Sequence, residues 1–304
     1  MPEGQRVLLL GATGFLGRHV LRALEATGAT VLAVAGRGGS ADAWRRIDLV
    51  SGDVRALVRE AEADVVVNCV GRATGDPAVL EAANVAIVAR LVDAMARSPA
   101  RLVHLGSAAE YGQGAVGRPL REEDAARPGA GYGRSKLRAT ELVTASGLDA
   151  VVLRIFNPVG RGMSAESAPG RAARLLADAL SAGASHITMG SLSARRDFIH
   201  ALDVADAVAA AGRLRGGPPI VNIGRGESVR ARSIVAMLAE VAGFGGEIRE
   251  EGGVSPRSAD VDDQCADIAL ARRAPGWATC GHPMATFRRR SSCPSAPTPR
   301  SRRS

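Results

Sequence analysis

"RVLLLGATGFLG", Arg6 to Gly17, decides the architecture. A short aliphatic run ends in a glycine, and glycines recur every third residue at Gly11, Gly14 and Gly17. An unbroken apolar run of this kind suits a strand buried on both faces. Gly11 permits a tight turn, Gly14 lets the backbone approach a pyrophosphate, and Gly17 lets a following helix pack on the strand. A helix opening at Phe15 and Leu16 offers free N–H groups and the positive end of its dipole to phosphate. Among 36 glycines the pattern alone carries little. Its place, between a first strand and a helix, makes it a dinucleotide-binding turn.

Outward from this turn, short aliphatic runs alternate with helical patterns. Strands are expected at 6–10, 30–35, 64–69, 101–106 and 150–156, with helices at 15–27, 54–62, 78–97 and 133–146. Continuous apolar strands separated by helices predict a parallel sheet covered on both faces. The fold class is α/β: a Rossmann-type doubly wound parallel sheet with a smaller, interleaved C-terminal substrate domain. Residues 1–156 with 203–223 are expected to build the dinucleotide-binding domain. Residues 157–202 with 224–277 are expected to build the lid, with helices near 171–182 and 231–242. The run from Ala278, rich in Arg, Ser and Pro, has no amphipathic period. It reads as a disordered or frame-shifted tail.

The net charge of +8 could suggest nucleic acid, but its distribution argues otherwise. Six arginines and no acid lie after Trp277, so the rest of the chain is nearly balanced. No basic stretch interleaves with aromatics as a nucleic-acid groove would. No apolar run reaches the roughly 18 residues of a membrane span. The N-terminus enters a strand directly, without a signal-peptide pattern. Four cysteines show no metal-like spacing, and no metal is expected. A reducing, cytoplasmic setting follows.

The end of the second strand chooses the cofactor. An acid there would bond the ribose 2′-hydroxyl of NAD. The chain reads "AVAGRGGS", with Arg37 and no acid. Arginine suits a 2′-phosphate, so NADP is expected in preference to NAD.

"YGRSK", Tyr132 to Lys136, holds the only lysine and one of two tyrosines. Four residues apart on a helix, the two share a face. A free phenol, with a pKa near ~10, is a poor acid–base at neutral pH. A nearby ammonium favours the phenolate. Tyr132 can then exchange a proton with an alcohol or ketone. A compact, rotatable ammonium also reaches ribose hydroxyls. Ser107, in "GSAAEYG" at the end of the fourth strand, can bond the reacting oxygen or simply cap a turn.

The glycine turn, "GSAAEYG", "YGRSK", "LRIFNPVG" and "RRDFIHALDVADA" together resemble the extended short-chain dehydrogenase/reductases that act on nucleoside-diphosphate sugars, the NAD-dependent epimerase/dehydratase family. The resemblance runs from about Val7 to Trp277. It implies that Ser107, Tyr132 and Lys136 are catalytic, with Asn84 supporting the lysine through water. It implies that Asp53 and Val54 contact adenine and that Pro158 lies by the nicotinamide. Asn157 would face the substrate, and Arg196 and Arg257 would clamp its diphosphate, work suited to a bidentate guanidinium. Family members are often dimers, which implies a homodimer through helices 78–97 and 133–146. Where 4,6-dehydratases carry Asp and Glu after the catalytic serine or threonine, this chain has Ala108 and Ala109, which disfavours dehydration. "NCVGR" (68–72) replaces an alanine-rich stretch near the nicotinamide. The expected activity is reduction of a nucleoside-diphosphate 4-keto-6-deoxy sugar. The alternatives are a sugar-nucleotide 4-epimerase with tightly bound NAD, and a non-catalytic NADP-binding sensor.

Overall fold

The computed structural model of the chain describes residues 4–36, 45–113, 117–253, 261–273 and 277. Arg37, Arg257 and the expected tail at 278–304 lie outside the described residues.

The first half alternates strand and helix. β1 (Arg6–Leu10) leads through the glycine turn to α1 (Phe15–Ala26), then β2 (Thr30–Ala35), β3 (Arg45–Arg46) and α2 (Val54–Ala61). β4 (Val65–Asn68) follows. The expected helix at 78–97 is α3 (Pro77–Glu81), a π-helical turn (Ala82–Ala86) and α4 (Ile87–Met95). β5 (Arg101–Ser107) passes into a 3₁₀ turn (Ala108–Tyr111), then α5 (Gly131–Thr144) and β6 (Ala150–Ile155).

The second half is more broken. β7 (Pro158–Val159), α6 (Ala168–Ala182), β8 (His186–Met189), β9 (Arg195–Asp197) and β10 (Ile199–His200) precede α7 (Ala201–Arg213) and β11 (Ile220–Ile223). β12 (Ser228–Arg230), α8 (Ala231–Ala242), β13 (Glu247–Glu250) and β14 (Asp263–Gln264) follow.

Seven strands form one parallel sheet in the order β11-β6-β5-β4-β1-β2-β3. The order reverses between β1 and β4, which opens a crevice at their carboxyl ends. Side chains alternate across the sheet. Leu9, Val67, Val103 and Leu153 face α1 and α7 in one core. Leu8, Val66, Leu102 and Val152 face α2, α4 and α5 in the other. A third apolar cluster joins α6, α8 and β8, through Leu176, Val235 and Ile187.

After the segment 157–200, α7 packs in the first core and β11 joins the large sheet. Ala271 and Trp277, at the end of the span expected in the lid, pack in the first core instead. Trp277 is anchored there because its ring needs both apolar cover and an acceptor: its Nε1 donates to the Asp203 carbonyl at 3.0 Å. No helix among the described residues is long and apolar enough to cross a membrane.

Candidate active site

The glycine turn meets each steric demand read from its spacing. Gly11 has a φ of +79°, and a Cβ there would come within 3.0 Å of the Cys69 carbonyl carbon and the Val70 nitrogen. β1 and β4 thus meet at the switch point through bare backbone. A Cβ on Gly17 would lie 2.0 Å from the Gly11 carbonyl oxygen, so α1 seats on the turn only with glycine. Gly14 is exposed and caps α1 without a side chain. A pyrophosphate can therefore approach the helix N-terminus, and the residues present fit a nicotinamide dinucleotide. Phe15 and Leu16 are half-buried in the first turn of α1. The Phe15 ring meets His19 edge-on at 5.7 Å.

Asp53 and Val54 stand at the start of α2. The Asp53 carboxylate caps that helix, accepting from the Ala56 N–H at 2.8 Å. Val54 is buried in the second core.

The catalytic candidates converge from three elements. Ser107 ends β5, at the carboxyl edge of the sheet. Its hydroxyl accepts from the Ala109 N–H at 3.2 Å, so it caps the 3₁₀ turn and keeps its own proton to donate. Tyr132 is half-buried in the first turn of α5. Gly133 brings this turn against the serine loop: a Cβ there would stand 2.4 Å from the Ala109 carbonyl oxygen.

Lys136 is buried, and its ammonium donates to the Leu105 carbonyl. Burial pushes its pKa down, and the Glu110 carboxylate opposes that shift. An ammonium has three donors, so this bond leaves two for Tyr132 and a ribose.

Asn84 lies on the π-helical turn, a feature frequent at functional sites. Both of its amide hydrogens are committed to protein. Oδ1 accepts from the Arg72 N–H at 2.8 Å. Nδ2 donates to the Arg72 carbonyl and the Ser135 hydroxyl, both at 2.9 Å. Ser135 in turn donates to the Tyr132 carbonyl at 2.8 Å. Asn84 thus ties the loop after β4 to the helix of Tyr132 and Lys136. A Cβ on Gly71 would meet both Asn84 Oδ1 at 3.1 Å and Lys136 Nζ at 3.8 Å.

On the lid side, Asn157 is half-buried and donates from Nδ2 to the Asp197 carbonyl at 3.1 Å. Pro158 pairs with Ile199. Arg196 is buried, not a free loop cation. Its guanidinium donates to the carbonyls of Arg195 at 2.7 Å and Val261 at 2.6 Å. The second expected clamp, Arg257, lies outside the described residues. Two contacts tie the 157–167 loop across the cleft: His19 Nε2 with the Arg161 carbonyl at 3.0 Å, and the Thr74 hydroxyl with Glu166 at 2.6 Å.

Sequence reasoning missed a buried polar network beneath the serine loop. Glu110 pairs with Arg154 at 2.8 Å, and the Arg154 guanidinium lies 4.5 Å over the Tyr111 ring. The Tyr111 hydroxyl donates to Asn222 at 2.7 Å. The available signal was an arginine inside the apolar run "AVVLRIF".

Comparison with known proteins finds relatives over most of the chain. The model described as "NAD dependent epimerase/dehydratase family" matches residues 7–224. A dTDP-6-deoxy-L-talose 4-dehydrogenase (NAD(P)(+)) from Kitasatospora kifunensis is 39% identical, over 90% of each chain. A UDP-glucose 4-epimerase from Azospirillum brasilense is 30% identical over 78% of each. Among solved structures, MoeE5 in complex with UDP-glucuronic acid and NAD superposes with a TM-score of 0.80 at 26% identity, covering 93% of this chain and 96% of that one.

Proposed function

The chain belongs to the NAD-dependent epimerase/dehydratase family, and from that premise we propose that it reduces the 4-keto group of a nucleoside-diphosphate 6-deoxy sugar. What supports this reading is the placement of Ser107 at the end of β5 and of Tyr132 and the buried Lys136 on α5, with the Lys136 ammonium bonded to the Leu105 carbonyl and Gly133 seating the helix on the serine loop. That arrangement suits carbonyl–alcohol chemistry. A bound nicotinamide dinucleotide supplies the hydride. Tyr132 gives its proton to the carbonyl oxygen as that oxygen gains charge. The Ser107 hydroxyl donates a hydrogen bond to the same oxygen. Lys136 holds the phenol and the ribose. Asn84, through Arg72 and Ser135, keeps the helix at its distance from the loop after β4.

Two observations favour reduction at C4. The relative from K. kifunensis is named for a 4-dehydrogenase of a dTDP-6-deoxy sugar, the reverse of the same step. Ala108 and Ala109 offer no carboxylate for dehydration, and the nearby Glu110 is buried in an ion pair. Arg196, with Arg257, supplies positive charge for a diphosphate. Arg37, with no acid beside it, favours NADP over NAD. Titration of both cofactors tests that preference, and tighter NAD binding refutes it. A homodimer through helices 78–97 and 133–146 is expected to scatter light as twice the chain mass, and a monomer mass refutes it.

The full chain with NADPH and a dTDP-4-keto-6-deoxyhexose is expected to lose nicotinamide absorbance. Tyr132→Phe is expected to lower kcat by roughly 10²–10⁴-fold while cofactor still binds. A variant as active as the wild type removes the mechanism. The 30% identity to a UDP-glucose 4-epimerase supports a second reading, redox-neutral epimerisation with retained NAD. Interconversion of two hexose nucleotides without net cofactor oxidation selects it.

A further inference from the structure

The serine loop carries a charge that this reaction does not use. Glu110 is fully buried and folds back along its own turn. Its Oε1 accepts from the Ser107 N–H at 2.7 Å. Its Oε2 accepts from the Thr140 hydroxyl at 2.9 Å and from Arg154 Nε at 2.8 Å. Thr140 lies one turn beyond Lys136 on α5, and Arg154 lies in β6. One carboxylate therefore joins the backbone of the serine, the helix of Tyr132 and Lys136, and the adjacent strand. Gly106 makes room for it: a Cβ there would stand 2.7 Å from Oε1.

A buried ion pair is a weak device for stability, because desolvation offsets much of its attraction. Its surroundings point to a task. From the end of β4, the Cys69 thiol is pushed up to about 12 by burial and stays neutral. From β5, burial and Lys136 hold His104 well below the ordinary histidine range, so it too is neutral. The charges of α3 and α4 are engaged elsewhere: Glu81 with Arg138, Arg90 with the Gly52 carbonyl, Asp93 with Arg55. On β6, Arg154 is matched to Glu110 itself. Glu110 supplies the leading attraction on the Lys136 ammonium.

We propose that Glu110 is a positioning residue for this reaction: its bonds to the Ser107 N–H and the Thr140 hydroxyl fix Ser107 against the helix of Tyr132 and Lys136, and its carboxylate, although bonded to Arg154, also attracts the buried lysine. This role rests on reading Ser107, Tyr132 and Lys136 as the catalytic set. The chain has one lysine, so protein grown on carbon-13-labelled lysine gives one titrating side-chain resonance. In Glu110→Gln the Lys136 midpoint is expected to fall by about one pH unit, the order of one lost opposite charge. The same variant is expected to lose about tenfold or more in kcat at nearly constant KM. A folded Glu110→Gln protein with an unmoved lysine midpoint overturns the proposal. If stranding Arg154 prevents folding, the double variant Glu110→Gln, Arg154→Gln decides by the same measurement. A lower midpoint there supports the role, and an unmoved one overturns it. The titration needs no sugar, so a wild-type protein inactive on 4-keto sugars would sink the proposed function while the role of Glu110 is still read.

Discussion

Beside Lys136, a histidine is buried without charge. His104 is fully buried in β5, and its Nδ1 meets the Asn68 amide nitrogen at 3.1 Å. Asn68 donates there, because its Oδ1 already accepts from the Val70 N–H at 3.0 Å. The His104 proton therefore sits on Nε2, which has no hydrogen-bond partner among the described residues. Burial, and then the nearby Lys136, push its pKa well below the ordinary range. The sign follows from linkage. Below about pH 6.5 the unfolded histidine takes up a proton that the folded one refuses. Stability is thus complete at neutral pH and falls as pH drops from about 6.5 toward the depressed native value, by at most about 1.4 kcal/mol per pH unit. His104→Gln keeps an acceptor for Asn68 and removes the titration. Its melting temperature, followed from about pH 7.5 to about pH 5, is expected to fall less steeply than that of the wild type. Parallel curves would show that His104 is not the group responsible. Tyr132 and Lys136 were legible in the sequence because their spacing on a helix is a pattern in one dimension. His104, Asn68 and Glu110 were not, since the significance of each lies in burial and in partners distant along the chain.

At the scale of elements, the long strands and helices were legible nearly to the residue. The runs at 6–10 and 30–35 are β1 and β2, and the helical period at 231–242 is α8. Each buries a face of its own, so its periodicity declares it. The two-residue strands β3, β7, β10 and β14 have no period to read and exist only by pairing with a neighbour. The π-helical turn was equally hidden, because "AANVA" has ordinary helical composition. Close approach between elements is the finer signal. In "YGRSK" the glycine matters as much as the residues at the ends, since Gly133 seats α5 on the serine loop. A methyl group at that position meets the Ala109 carbonyl oxygen at 2.4 Å and Pro128 Cβ at 2.8 Å. Neither neighbour is a flexible side-chain end, so the helix and loop must part. Overpacking of this kind costs about 1–3 kcal/mol. Gly133→Ala is expected to lower kcat about tenfold or more, because Ser107 and Tyr132 separate. Cofactor affinity should fall less than kcat, because the glycine turn is untouched although Lys136 shifts with α5. Measuring kcat beside cofactor affinity checks this, and a loss of affinity without loss of rate contradicts it.

Across the whole molecule, segments distant along the chain meet at one carboxylate. Asp197 is fully buried at the end of β9. It accepts from the N–H groups of Arg225 at 2.8 Å, Gly226 at 2.9 Å and Ala266 at 3.1 Å. Those donors lie in the turn between β11 and β12 and just beyond β14, where the chain leaves the sheet and where it comes back. The Asp197 carbonyl also receives Asn157, the residue the family resemblance assigns to the substrate side. Gly224 packs so closely that a Cβ would lie 2.7 Å from Asp197 Oδ2. Sequence alone marked the neighbouring Arg196, because a cation suggests a phosphate. It gave no reason to mark Asp197, whose partners lie 28 to 69 residues away. Removing the carboxylate strands three backbone donors, each costing about 1–3 kcal/mol if buried and unmet. Asp197→Ala is therefore expected to lose several kcal/mol, on the order of 3 or more, in urea unfolding. Asp197→Asn keeps one acceptor oxygen and should lose less. In the Asn variant, sugar-nucleotide affinity is expected to weaken more than cofactor affinity, because Asn157 and Arg196 flank the disturbed turn while Gly11, Gly14 and Gly17 do not. Equal weakening of both ligands would mean that Asp197 supports the molecule as a whole and not the lid side of the cleft.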